Sequence, residues 1–178
     1  MSRLVLRAVS GMVLVGALVL GTCPAAASET RGVGLGVGVG LAVPSGQLID
    51  SNGNLTKLRP DFAWGFYVNI PLISSFHLMP HAEIYKVADK VTATDIGLAF
   101  KFVVETPVVH PYFGLTVGDT NLTSGQQLNV GGLAGATINL IANIDAFAEA
   151  RYIIAVRDPE QGGNIKTFDA FAGGLFRF

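Results

Sequence analysis

The twelve residues that end the chain, Thr167-Phe-Asp-Ala-Phe-Ala-Gly-Gly-Leu-Phe-Arg-Phe178, restrict its fold more than any other stretch. Side chains of a β-strand alternate between its two faces. On that period Phe168, Ala170, Ala172, Gly174, Phe176 and Phe178 share one face, and Thr167, Asp169, Phe171, Gly173, Leu175 and Arg177 share the other. The first face carries no charge and ends on an aromatic residue, while the second mixes apolar, small and ionisable groups. Such a segment suits a strand whose uncharged face meets an apolar medium.

The same period runs back through the chain. In residues 32–43, Val33, Leu35, Val37, Val39, Leu41 and Val43 form one face, and glycine with one alanine forms the other. Glycine at alternate positions weakens a strand unless the space is needed, and a narrow barrel interior needs it. No dinucleotide fingerprint fits, because Val37 stands where the third glycine would fall. Residues 44–60 read as a turn-rich loop. A second strand sets Phe62, Trp64, Phe66, Val68 and Ile70 against Ala63, Gly65, Tyr67 and Asn69. The third sets Phe76, Leu78, Pro80, Ala82 and Ile84 against His77, Met79, His81, Glu83 and Tyr85, with a bulge expected at Pro80, which lacks a ladder donor.

A fourth strand opposes Ile96, Leu98, Phe100, Phe102 and Val104 to Asp95, Gly97, Ala99, Lys101 and Glu105; a fifth opposes Pro111, Phe113, Leu115 and Val117 to Tyr112, Gly114, Thr116 and Gly118. A loop is expected over residues 119–126. The sixth strand opposes Leu128, Val130, Ala134, Ala136, Ile138 and Leu140 to Asn129, Gly131, Gly135, Thr137 and Asn139. The seventh opposes Ile144, Ala146, Ala148, Ala150, Tyr152 and Ile154 to Asp145, Phe147, Glu149 and Arg151. Short turns near positions 71, 107 and 142, and the end at 178, are spaced by 36, 35 and 36 residues, one hairpin per interval. Longer connections are expected after each odd-numbered strand. An even number of strands with short turns at one end and longer loops at the other is the plan of a small transmembrane barrel.

The first 27 residues have a different character. Arg3 and Arg7 precede an apolar run from Ala8 to Gly21, and Ala25-Ala26-Ala27 offers a cleavage site before Ser28. This is the layout of a secretory signal, and the run is too short for a retained membrane helix. Residues 1–27 are therefore expected to be cleaved, leaving residues 28–178 as one barrel domain. Leu20-Gly21-Thr22-Cys23 loosely resembles a lipobox, but threonine fits poorly before the cysteine, so lipidation is the lesser reading. Cys23 is the only cysteine, and its removal leaves no thiol for disulfide, zinc or nucleophilic chemistry. Cleavage also removes two of twelve basic residues and none of the thirteen acidic ones, which takes the formal charge from −1 to −3. Nucleic acid finds no attraction in that balance.

Charged residues make up 14% of the chain, against about 25% in ordinary soluble domains. No second run of about 20 apolar residues could span a membrane as a helix. The uncharged faces hold only Lys86 and Lys166, both beside predicted outer loops. A soluble barrel would place its polar face outside. Here that face is glycine-rich with a few ionisable groups, which suits a crowded interior. Lysine at mid-bilayer on a barrel's outside costs about 2–4 kcal/mol, and the predicted outside avoids it. The expected fold is all-β, a single eight-stranded antiparallel up-and-down transmembrane β-barrel.

Pro111-Tyr-Phe-Gly-Leu-Thr-Val-Gly118, Asn129-Val-Gly-Gly-Leu-Ala-Gly135, Ala146-Phe-Ala-Glu-Ala-Arg-Tyr152 and Gly174-Leu-Phe-Arg-Phe178 together resemble the small bacterial outer-membrane β-barrel domain family of OmpA/OmpX type. That resemblance implies an outer-membrane location in a Gram-negative envelope, periplasmic termini, and contact with outer-membrane lipid. It also implies that the barrel-assembly machinery reads Phe176 and Phe178 as an insertion signal. The family is functionally mixed, so membership implies little about the biological task.

Among candidate sites, inward Glu83, Lys101, Glu149, Arg151, Asp169 and Arg177 read as an interior polar network, because eight-stranded barrels have room only for side chains and buried charges require partners. Trp64 and Tyr152 are expected interface aromatics near the outer ends. His77 and His81 share a face, but four strand residues separate them by about 13 Å, too far for one metal ion; no metal or cofactor is expected. Asp119-Thr-Asn-Leu-Thr-Ser-Gly125 mimics the start of a calcium loop, yet Val130 occupies the later acidic position. Ser74 and Ser75 lie near His77, but in a predicted periplasmic turn, which argues against a lipid-modifying enzyme. The expectation is a non-enzymatic structural or surface-interaction protein, with a narrow pore for small or apolar solutes as the alternative. Loop 44–60 is the preferred recognition element.

Overall fold

The computed structural model describes residues 32–46, 48–49, 55–88, 91–122, 125–156 and 165–178. The expected signal, Cys23 and much of the outer loops lie outside these residues. Ten strands are present: β1 (Gly34–Ser45), β2 (Leu48–Ile49), β3 (Leu55–Thr56), β4 (Asp61–Ile73), β5 (Phe76–Ala88), β6 (Val91–Val103), β7 (Val109–Leu122), β8 (Gly125–Ile141), β9 (Ile144–Val156) and β10 (Lys166–Arg177). Eight of them close a barrel in the order β1-β10-β9-β8-β7-β6-β5-β4, and β2 pairs with β3 in a separate hairpin. Every neighbouring pair is antiparallel. Closure leaves no unpaired sheet edge. β1 and β10 pair from Gly34↔Arg177 to Ser45↔Lys166, and the Phe178 amide donates to the Val33 carbonyl at 3.0 Å.

The tilt of the wall follows from its register. From Asp61, paired positions run through Ala42, Asp169, Arg151, Leu133, Gly114, Lys101 and His77 to Pro71, back on β4. One circuit thus climbs from position 61 to position 71, a shear of ten residues. Strand number and shear together set the width of a barrel, and at eight strands the interior is just wide enough for side chains to fill.

Alternation decides which side chains fill it. Tyr67, Met79, Tyr85, Tyr112, Leu133, Phe147, Phe171 and Leu175 are buried inside, while Phe62, Leu115 and Phe178 are 66%, 69% and 68% exposed outside. A water-soluble barrel would have its large apolar side chains enclosed. Here the outer wall carries them in continuous rows, so its solvent is lipid. No helix among the described residues is long and apolar enough to cross a membrane, and the crossing elements are strands.

Glycine on β1 makes the aromatic filling possible. A β-carbon at Gly38 would lie 3.1 Å from both Phe147 Cζ and Tyr67 Cε2, whose rings meet edge-on with centroids 5.2 Å apart.

Four sequence expectations change. Loop 44–60 carries the β2–β3 hairpin. Residues 119–126 are mostly strand: β7 runs to Leu122 and β8 begins at Gly125. Likewise only positions 89–90 separate β5 from β6, so two of the outer connections are not longer than the turns at the other end. Polar sequence here marks emergence into water, not the end of pairing. Finally, Pro80 makes no bulge. Its pairing with Leu98 on β6 is in register, and the β4–β5 register is the same on either side of it, at Tyr67↔His81 and Ile70↔Leu78. Each strand residue directs its hydrogen-bonding groups to one neighbour, so the missing donor interrupts one ladder without shifting it. The irregularities fall instead at Pro71/Ile73, Lys86/Ala88 and Asn139/Ile141.

Replacing Gly38 by leucine is expected to destabilise the barrel by about 1–3 kcal/mol through overpacking, whereas Val39→Leu, on the lipid side, leaves stability nearly unchanged. Urea unfolding of the two variants in the same detergent micelle checks the contrast.

Candidate functional site

The polar inner face carries most of the wall's ionisable side chains among the described residues. Its centre is Arg151 on β9, 1% exposed. Nη1 donates to Glu83 Oε1 on β5 and Nη2 to Glu149 Oε1 on its own strand, both at 2.5 Å, and Nε reaches Glu149 Oε1 at 3.1 Å. Because β5 and β9 lie on opposite sides of the closed order, the Arg151–Glu83 pair crosses the lumen. The Tyr67 hydroxyl adds a bond to Glu83 Oε1 at 3.3 Å, and the Tyr67 and Phe171 rings lie 6.0 and 5.9 Å from the guanidinium carbon. Lys101 Nζ approaches Glu149 Oε2 at 3.6 Å and sits 3.6 Å from the centre of the Tyr112 ring. It also donates to Met79 Sδ at 3.4 Å.

Two further groups flank this centre. Towards the end where β4 and β6 begin, Asp95 Oδ2 accepts from Thr120 Oγ1 at 2.8 Å and from Asn129 Nδ2, and its other oxygen lies 3.4 Å from His81 Nε2. At the end where β1 begins and β10 finishes, Arg177 bonds Asp145, whose Oδ1 accepts from Asn139 Nδ2 at 3.0 Å. There, Asn69 Nδ2 lies 3.1 Å from His77 Nδ1.

Of the six residues expected to form one network, the structure brings four together: Glu83, Lys101, Glu149 and Arg151. Arg177 belongs to the terminal group. Asp169 is fully buried beside the backbone of Arg151, and no donor among the described residues bonds its carboxylate. The shear spreads inward positions along the axis, so a common face does not mean a common layer. Asp95 and Asp145 are the further members; period two already puts both inside, and opposite-strand register supplies their partners.

Glu105 falls beyond β6, in the turn, 3.4 Å from His110. His77 and His81 have the separate polar neighbours described above, and no group of three or more His, Cys, Asp or Glu among the described residues could hold a metal ion. Trp64 and Tyr152 are 60% and 46% exposed on the outer wall. Phe176 and Phe178 are exposed beside each other at the opposite end, with ring centroids 5.1 Å apart.

Below the Arg151 layer, Asn69, His77, Lys101, Val103, Thr137, Leu175 and Arg177 line a cavity of about 10 Å³, room for about one water molecule.

A closed eight-stranded wall, apolar outside and filled with paired charges inside, defines a transmembrane β-barrel. More particularly, the chain has the fold of small outer-membrane barrels. It is similar to Neisserial surface protein A, with a TM-score of 0.65 and 18% identity over 85% of this chain and 100% of that one. It is also similar to the outer membrane protein OprG from Pseudomonas aeruginosa, with a TM-score of 0.56 and 13% identity over 84% and 97% of the two chains. No family model matches the chain, and no curated protein matches its sequence.

Removing one member of a buried ion pair strands the other and costs about 3–5 kcal/mol. Arg151→Met is therefore expected to lose that much stability in urea titrations, and adding Glu83→Gln to recover part of it, because Glu149 keeps Lys101 as its partner.

Proposed function

We propose that this chain is an integral outer-membrane protein with a non-enzymatic structural or surface-interaction role, its barrel serving as a rigid mount for the outer connections. The observation that carries the reading is the Arg151 layer. One guanidinium binds carboxylates from opposite walls and is flanked by Tyr67 and Phe171. An ion crossing the lumen would have to displace paired charges from a packed layer.

Recognition then falls to what projects beyond the wall, and loop 44–60 with its β2–β3 hairpin is the largest such element with described structure. Rigid scaffolds with variable connections concentrate binding at those connections. The nucleophile–histidine–acid arrangement of acyl transfer is not assembled by His81 or His77, whose described polar neighbours are Asp95, Asn69 and main-chain carbonyls. The folding route we infer passes through the assembly machinery, with Phe176 and Phe178 presented at the end of β10.

Planar-bilayer recordings test the filled interior. The native barrel is expected to give no reproducible conductance steps, while Arg151→Ala combined with Tyr67→Ala opens a measurable leak. Steady steps from the native protein would favour the narrow-pore alternative.

A further inference from the structure

The described residues contain seven lysines and arginines, and their distribution is uneven. Lys101, Arg151 and Arg177 are buried inside the barrel, whereas Lys57, Arg59, Lys86 and Lys166 are exposed. All four exposed bases lie at the outer end, and all belong to one sector. Lys166 opens β10, Lys57 and Arg59 lead into β4, and Lys86 is near the end of β5; these strands and β1 are consecutive in the wall as β10-β1-β4-β5. The backbone fixes their placement. The Arg59 amide donates to the Val87 carbonyl at 3.1 Å, which holds residue 59 against the end of β5. The Ser45 hydroxyl donates to the Lys166 carbonyl at 3.2 Å, tying β1 to β10.

Directly below these bases the same sector is apolar: Phe168 on β10, Val43 on β1, Phe62 and Trp64 on β4 and Ile84 on β5 all face outward and are exposed. The boundary between the two rows is where hydrocarbon gives way to headgroups. The other half of the circumference differs. At the same end, the outward residues of β6 to β9 are Thr92, Thr94, Asp119, Asn121, Gln126, Leu128 and Val156, without a lysine or arginine. Among the described residues Asp61 also lies in this sector, and its Oδ1 accepts the Phe62 amide.

We propose that this sector binds the phosphate groups of an outer-leaflet lipid, with Lys57, Arg59, Lys86 and Lys166 on the headgroup and the Phe62, Trp64 and Phe168 row on its acyl chains. Long basic side chains lay their stems along apolar surface and present the charge at the membrane boundary, and clustered bases at that boundary attract anionic lipid. Phosphate suits both guanidinium and ammonium donors. Among the described residues the interaction is directional: an anionic lipid seats against β10-β1-β4-β5 and meets no lysine or arginine on the outward face of β6 to β9. The inference rests on the outer-membrane reading, with the termini on the periplasmic side.

Native mass spectrometry tests it, using mature barrel reconstituted with phosphatidylcholine and a trace of a bisphosphorylated glucosamine lipid. The native barrel is expected to retain the phosphorylated lipid. The combined variant Lys57→Gln, Arg59→Gln, Lys86→Gln and Lys166→Gln retains several-fold less, Asp119→Asn on the far side retains as much as native, and the dephosphorylated form of the lipid is not retained. Retention should also fall as salt is raised. Equal retention by native and quadruple variant overturns the proposal, as does displacement of the lipid by millimolar inorganic phosphate, which would mark a site for the free ion. Folding of the variant into phosphatidylcholine vesicles is scored separately, so failure of lipid selection is distinguishable from failure of the barrel.

Discussion

The fold rests on one constraint: charge in the wall of a narrow barrel has to be neutralised within a cross-section only a few side chains wide. Arg151 meets it for two carboxylates at once, Glu83 from across the lumen and Glu149 from its own strand. Glu149 in turn holds Lys101, which packs over the Tyr112 ring. These bonds also draw opposite walls together, a task that main-chain ladders between adjacent strands cannot perform. Buried ion pairs add little net stability compared with apolar packing, but a missing partner is costly. The interior is therefore organised as interdependent sets, and Tyr67, Phe147 and Phe171 fill the space between them.

The exterior follows the opposite rule. A soluble protein would hide Phe62, Phe113 and Leu115, whereas here they stand out from the wall and the polar residues are enclosed. Closure satisfies the backbone, because every barrel strand has two hydrogen-bonded neighbours, and a lipid-facing wall requires that. The inside-out arrangement also explains the glycines of β1: with aromatic side chains pointing into a fixed width, some facing positions must have no side chain.

Period two in the sequence is sufficient to assign inside and outside for nearly every strand position, because a one-residue error in register would put Arg151 in lipid or Phe113 in the lumen. Strand count and the hairpin rhythm follow from the same pattern. What period two cannot supply is the axial offset between distant strands. Arg177 and Arg151 share an inward face yet bind different acids, since the shear of ten residues sets which inward positions meet. Asp95 and Asp145 are on the right face in the sequence, but their partners come from that offset. The end of β7 is illegible for another reason: Asp119, Thr120 and Asn121 are polar like a loop, although they continue the ladder to β8. Composition reports contact with water, and pairing depends on the neighbouring strand.

The claim on which the rest stands is that the large apolar side chains of the wall meet hydrocarbon. Trp64 is the chain's only tryptophan and is 60% exposed on the outer face, so its native fluorescence reports that contact without any substitution. In vesicles the emission is expected to be quenched by phospholipids brominated on their acyl chains and to be insensitive to aqueous iodide. Quenching by iodide alone, in a mature protein that folds without lipid or detergent, would contradict the account.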